Sequence, residues 1–267
     1  GYDYYSQIRL FGGVPVTVPA RESNRFKVDP ADIKAAITNK TRLMIINTPS
    51  NPTGAIFDEE ILREIARMAM EHDLIVLADE PYEHILFDGH QHISIGSFEG
   101  MAERTISAFT LSKSYAMTGW RVGYTVAPPA FIDEMEKLME HMVSGVAAVA
   151  QRAALAAIEA PQDCVREMVA TYDNRRQVVY DGLNAIDGIN CLKPESTFYA
   201  FPNIKSLGRS SWDLAKYLVK EHRVAVVPGS IFGQGGEGYV RLSFAASIEQ
   251  LQEGIARIRR GVEALKR

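Results

Sequence analysis

Lys113 sits in the run Thr110-Leu111-Ser112-Lys113, and Arg121 follows eight positions later in Trp120-Arg121-Val122-Gly123. A lysine amine condenses with an aldehyde to form a Schiff base, while hydroxyls and a planar guanidinium are the groups that grip a phosphate. Together they suit a cofactor carrying both functions. Two further polar positions lie upstream. Asn51 stands inside Asn47-Thr48-Pro49-Ser50-Asn51-Pro52-Thr53-Gly54, and Asp79 and Tyr82 stand inside Ala78-Asp79-Glu80-Pro81-Tyr82.

Residues so far apart in sequence act together only if the fold gathers them. Leu43-Met44-Ile45-Ile46, Leu74-Ile75-Val76-Leu77-Ala78 and Thr105-Ile106-Ser107-Ala108-Phe109 read as short buried strands, and Val122-Gly123-Tyr124-Thr125-Val126 as a fourth. Asp58 can cap a helix on which Ile61, Leu62, Ile65 and Met68 recur at helical spacing. Apolar runs separated by amphipathic helices predict an α/β fold: a three-layer, largely parallel sheet covered by helices on both faces. Ligands of such sheets bind beyond the carboxyl ends of the strands. Asn51, Asp79 and Lys113 each follow a proposed strand, with gaps long enough for one crossover helix each.

After Pro129 the pattern changes. Residues 131–160 read as helix, weakened near Gly145, and a polar helix over 162–186 links two domains. Strands at Phe198–Phe201, Val224–Val227 and Tyr239–Phe244 then alternate with a helix over 211–222. A last helix opens with a Ser247/Gln250 capping box and carries Leu251, Ile255, Ile258 and Val262 on one face. The expected division is a large domain over 1–170 and a small α+β domain over 171–267.

Pyridoxal 5′-phosphate asks for the groups present. A carboxylate at Asp79 would keep the ring nitrogen protonated, and raising that pKa by two or three units takes only about 3–4 kcal/mol. Tyr82 and Asn51 can donate to the phenolic oxygen, and Thr110, Ser112 and Arg121 can hold the phosphate. Lys113 would form the Schiff base and, once displaced by substrate, move a proton to or from the substrate α-carbon. Taken singly, each residue has a plainer reading: a solvated lysine, ordinary turns at Asp-Glu-Pro and Asn-Pro-Thr-Gly, an ion-paired strand arginine at Arg241. Their conjunction in this order outweighs those readings.

With Thr197-Phe198-Tyr199-Ala200-Phe201-Pro202 and Tyr239-Val240-Arg241-Leu242-Ser243-Phe244-Ala245 added, the chain resembles the fold-type I, class I/II aminotransferases over essentially its whole length. The Lys113 segment is most similar to the prokaryotic-type aspartate/aromatic branch. The resemblance implies pyridoxal phosphate, ping-pong transamination between an amino acid and a 2-oxo acid, and a homodimer. It also implies that Arg241 binds the substrate α-carboxylate, with Asn51 beside the substrate, and that Asn51–Pro52 is cis. Thr110 departs from the usual Ser or Gly, and Ser196-Thr197 from the usual Gly-Ala. Family members carry a further N-terminal portion of the large domain, so the chain is expected to lack that part. Two other functions stay open: pyridoxal-phosphate-dependent β-elimination or related lyase chemistry, and an inactive truncated remnant.

Composition narrows the classes. A chain of 267 residues, 46% hydrophobic, can bury a substantial core. With 29 Lys and Arg against 33 Asp and Glu and no basic stripe, neither a nucleic-acid surface nor a polybasic membrane contact is expected. No apolar run approaches the ~20 residues that span a bilayer, and the cytoplasm is the expected location. Cys164 and Cys191 form no disulfide framework. The Gly233–Gly238 match to G-x-G-x-x-G precedes a strand rather than opening a helix, which removes its nucleotide-binding logic. His90 and His92 read as polar loop histidines, and no metal is expected.

Overall fold

The computed structural model describes residues 4–265. In chain order its principal elements are α1 (Tyr4–Leu10), α2 (Pro30–Ala36), β1 (Leu43–Asn47), α3 (Glu59–Glu71), β2 (Ile75–Asp79), β3 (Thr105–Thr110), α4 (Leu111–Ser114) and β4 (Gly123–Val126). There follow α5 (Pro129–Val143), α6 (Ala148–Glu159), α7 (Asp163–Asn184), β5 (Tyr199–Ala200), α8 (Ser211–His222), β6 (Val227–Pro228), β7 (Val240–Ser243) and α9 (Ile248–Leu265). They form two compact units. One comprises Val28–Pro49 and Ile56–Met168; the other comprises the chain through Lys27, Ser50–Ala55 and the chain from Val169 onward.

The first unit is the expected α/β body. Its sheet has the order β1-β2-β3-β4, with β1, β2 and β3 parallel and β4 antiparallel to β3. The link from β3 to β4 holds only α4 and a 3-10 turn at Thr118–Trp120. Without a crossover helix the chain returns antiparallel. Asp29 caps α2 by accepting from the Ala31 amide at 2.8 Å, and Pro30 occupies the first helical position. Asp58 precedes α3 in an extended conformation but makes no capping bond to it. On the outer face of α3, Glu59–Arg63 and Arg67–Glu71 are paired one turn apart, while Leu62, Ile65 and Met68 are buried.

Burial along the sheet alternates. Ile46, Val76, Ala78, Thr105 and Ser107 are buried, whereas the alternating residues Leu77 and Ile106 are only partly so. Among the described residues one face of the sheet is therefore covered more completely than the other. One correction concerns 131–160. Ser144 (φ 61°) and Gly145 (φ 142°) leave the helical region, so two helices stand where one weakened helix is predicted.

The second unit is built on an antiparallel sheet of order β5-β7-β6. The strand predicted over 224–227 is present only as Val227–Pro228, because Arg223 ends α8 in the left-handed region and residues 224–226 join no ladder. Phe26, Ala55, Phe201 and Tyr239 share a core, with the Phe201 and Tyr239 rings stacked at 5.0 Å. Ser50–Ala55 belongs here because the Gly54 carbonyl accepts from the Glu195 amide at 3.1 Å and the Ser196 hydroxyl at 2.9 Å. Ser247 and Gln250 form the reciprocal capping bonds of α9, whose Leu251, Ile255, Ile258 and Val262 are buried. The glycine-rich stretch opens no α-helix; it forms a 3-10 turn over Gln234–Gly236 and runs on into β7.

Gly123 couples this framework to the chemistry-bearing strand. It pairs with Thr110, and a Cβ on it would lie 2.5 Å from the Phe109 carbonyl oxygen. Backbone cannot yield as a flexible side chain does. Gly123→Ala should therefore destabilise the protein by about 2 kcal/mol, while Gly119→Ala, which meets open space, should be near neutral. Urea unfolding of both variants checks this; coincident midpoints would refute the close-approach argument.

Candidate active site

Asp79 is the last residue of β2, paired with Asn47 of β1 on one side and Ala108 of β3 on the other. The Asn47 side-chain amide donates to the Asp79 carbonyl at 3.0 Å and to its carboxylate at 3.3 Å. One amide thus fixes both backbone and side chain of the strand's final residue. Tyr82 follows in the Pro81–His84 turn and is buried.

Thr110 ends β3 and caps α4, its hydroxyl oxygen accepting from the Ser112 amide at 3.2 Å. Lys113 is partly buried on that single turn, beside buried Ser112. Arg121 follows the 3-10 turn with φ 52° and donates to the Thr118 carbonyl at 3.0 Å, its side chain exposed. Six predicted site residues, Asp79, Tyr82, Thr110, Ser112, Lys113 and Arg121, therefore stand at or just beyond the carboxyl ends of two adjacent parallel strands.

The other two lie in the second unit and are bonded to each other. Arg241, on β7, donates to the Asn51 side-chain oxygen at 2.8 Å. Its guanidinium lies 4.3 Å from the Tyr199 ring centroid and 5.0 Å from that of Phe232. An arginine with one carboxamide partner and two aromatic faces presents its remaining N–H fork in a fixed plane. Asn51–Pro52 is cis, as the resemblance implies, and Thr48–Pro49 is cis as well.

Several residues here escaped the sequence reading. Asn47 and Glu80 lie inside the quoted motifs but were given no role. Glu80 is 1% exposed, and its carboxylate accepts from Ser94 at 2.8 Å, from Ser107 at 3.0 Å and from the His92 ring. His92 is thus no solvated loop residue: its side chain is 11% exposed and held by a buried acid. Strand alternation was the available signal, since the residue after Asp79 must point to the opposite face. Tyr199 and Phe232 carry no polar signature that links them to Arg241.

The donor set can be tested against a cofactor of the inferred kind. An aldehyde needs an amine, and Lys113 supplies one on a turn fixed by its cap. A phosphate needs hydroxyl and guanidinium donors; the Thr110 oxygen accepts from an amide and so directs its own hydrogen elsewhere. A pyridine nitrogen needs a carboxylate, and Asp79 is held by Asn47. The residues fit pyridoxal 5′-phosphate.

Comparison with known proteins agrees. Residues 2–258 match the model for aminotransferase class I and II, and the chain belongs to that family, whose members use pyridoxal 5′-phosphate. It is 44% identical over 257 residues to an aspartate aminotransferase of Pyrococcus abyssi, covering 96% of this chain and 66% of that protein. It is 42% identical to aromatic-amino-acid aminotransferase 2 of Thermococcus litoralis, covering 98% of this chain and 68% of the relative. The crystal structure of an aromatic aminotransferase from Pyrococcus horikoshii superposes with a TM-score of 0.96 at 43% identity, covering 98% of this chain and 71% of that one. The chain thus spans about two thirds of the length of the curated relatives it matches. Among the described residues, no helix is long and apolar enough to cross a membrane.

Glu83, one residue past Tyr82, gives a pH prediction. Its side chain is 10% exposed and one carboxylate oxygen has no partner. Burial pushes its pKa up to about 7, against smaller downward pulls from its own amide and His92 and a small upward push from Glu80. A folded-state pKa above the unfolded value gives stability that is full below about pH 4.5 and is lost as pH rises through 7. Glu83→Gln should be more stable than the parent at pH 8, by up to about 3 kcal/mol, and close to it at pH 4.5. Thermal melts at both pH values decide it; the same gap at both would show that Glu83 does not titrate in this window.

Proposed function

We propose that this chain carries the catalytic lysine of an enzyme that transfers an amino group from an amino acid to a 2-oxo acid by a ping-pong route. The observation that carries the reading is the placement of Asp79 at the end of β2 and of Lys113, on α4, just past the end of β3, the parallel strand beside it. In this reading the cofactor-binding domain runs to about residue 170 and the small domain covers 171–267, with the chain through Lys27 and Ser50–Ala55 packed on the latter.

Bound pyridoxal phosphate supplies a ring that accepts electrons from the substrate α-carbon. The chain's residues do the rest. Asp79 holds a proton at the ring nitrogen, with Asn47 keeping its carboxylate in place. Tyr82 and Asn51 donate to the phenolic oxygen. Because the Asn51 oxygen accepts from Arg241, its nitrogen is the donating end. Thr110, Ser112 and Arg121 hold the phosphate, and Lys113 anchors the aldehyde carbon and then takes the α-proton. Arg241 binds the substrate α-carboxylate through its planar fork, stacked against Tyr199 and Phe232.

The functional unit is a cytoplasmic homodimer. Exposed apolar side chains at Val126, Leu138, Met142 and Val149 are surface that a second copy would cover.

Borohydride reduction of the protein with pyridoxal phosphate should fix cofactor on Lys113, and Lys113→Ala should abolish the label; a labelled variant would exclude this lysine. An amino acid with 2-oxoglutarate should give the matching 2-oxo acid and glutamate, whereas release of pyruvate and ammonia would indicate elimination. Arg241→Lys, which loses the bidentate fork, should raise KM for the amino acid by roughly ten- to a hundredfold without reducing borohydride labelling. An unchanged KM would remove Arg241 from the carboxylate site.

A further inference from the structure

The Asp79–Tyr82 turn is secured from behind. Asp79 and Glu80 are consecutive, so their side chains leave the strand end on opposite faces. Asp79 is on the partly buried face with Asn47, and Glu80 is on the buried one. The Glu80 amide donates to the Ala108 carbonyl at 3.0 Å, continuing the β2–β3 ladder one residue past the strand. Its carboxylate takes the Ser94 and Ser107 hydroxyls on one oxygen and the His92 ring on the other. The donors come from two places: Ser107 from within β3, three residues before Thr110, and His92 and Ser94 from the loop preceding β3.

A buried carboxylate satisfied by three side-chain donors is costly to leave half-paired, so the arrangement has a single well-defined geometry. The charged and titratable groups around it are His92, Glu83, Tyr124 of β4 and, through Glu83 and His92, His84. No lysine or arginine is bonded to Glu80 among the described contacts, which leaves the two serines and His92 as its anchors.

We propose that Glu80 is a positioning residue for the cofactor. Its carboxylate, nailed to β3 and to the loop before it, fixes the end of β2 and the following turn, from which Asp79 and Tyr82 would reach the pyridoxal ring. The proposal rests on the pyridoxal-phosphate reading and extends it to a residue that does not itself touch the cofactor. A loosened turn would let the Asp79 carboxylate drift from the ring nitrogen. Cofactor affinity and the pH midpoint of the bound-cofactor absorption band would then change, although Lys113, Thr110 and Ser112 remain in place.

The experiment uses the full chain with pyridoxal phosphate as the probe, comparing wild type, Glu80→Ala, Glu80→Gln and the double variant His92→Ala/Ser94→Ala. Cofactor affinity is read by absorbance titration, the band's midpoint by pH titration, and the lysine bond by borohydride labelling. Glu80→Ala should bind cofactor at least about tenfold more weakly, with a shifted midpoint, while still labelling on Lys113. Glu80→Gln should recover most of the loss, because its carbonyl can accept from both serines and its amide can donate to His92. Should Glu80→Ala not fold, the double variant decides, since it removes two of the three anchors and should show the same change in smaller degree. Lower melting temperatures with wild-type affinity and midpoint would overturn the proposal and leave Glu80 a purely structural acid. Wild-type protein that takes no label on Lys113 would instead overturn the functional reading itself.

Discussion

Parallel pairing brings like ends of strands together, and the site depends on that constraint. The register of β1, β2 and β3 sets Asn47 beside Asp79 and Asp79 beside Ala108, so polar residues distant in sequence finish in one row. Backbone hydrogen bonds alone would leave the terminal side chains free to choose among rotamers. The Asn47 amide removes that freedom by gripping both the carbonyl and the carboxylate of Asp79. In the proposed role of Asp79 at a ring nitrogen, such restraint would count for more than further burial, since preorganised charge needs no reorientation when it acts. On the other strand, Thr110 plays the matching part: its hydroxyl starts the single turn that carries Lys113.

How much of this could be read from sequence follows from what kind of signal each residue leaves. β1, β2 and β3 were legible because apolar runs bounded by turn residues are specific, and the candidate-site motifs because several polar residues sit at strand ends in a recognisable order. The direction of β4 had no sequence signal apart from the short link that precedes it. The break at Ser144 was half legible, through Gly145 but not through the serine. Glu80 and His92 show the real limit. A glutamate beside a proline and a histidine in a polar loop look solvated, and only the fold shows that they close on each other with two serines. Long-range polar pairing has no period, so a periodicity search passes over it.

Arg241 illustrates the same limit from another side. Its strand was expected, and its role was implied by resemblance, but the reason it can hold a fixed fork lies in Tyr199 and Phe232. Aromatic residues read as core by default, and most here are core: Phe26, Phe201 and Tyr239 pack edge-to-face or stacked. Tyr199 belongs to the same strand as this cluster's neighbour Ala200, yet its ring serves a cation. Composition cannot separate the two uses; only the partner can.

The departure at Ser196-Thr197 acquires a physical account from the same unit. Thr197 sits at φ 66°, where a β-branched residue is strained by about 1–3 kcal/mol. Part of that strain is offset locally, because the Thr197 hydroxyl oxygen accepts from the Tyr199 amide at 3.2 Å. Ser196, fully buried, donates its hydroxyl to the Gly54 carbonyl, which also receives the Glu195 amide. A glycine at 196 would make the second of those bonds but not the first. The two hydroxyls therefore act on opposite sides of one short segment: Thr197 holds the backbone of Tyr199, whose ring lies under the Arg241 guanidinium, and Ser196 holds the loop that carries Asn51, to which Arg241 is bonded. The two departures from Gly-Ala tie together, through two ordinary hydrogen bonds, the segments that carry two partners of the arginine expected to receive the substrate.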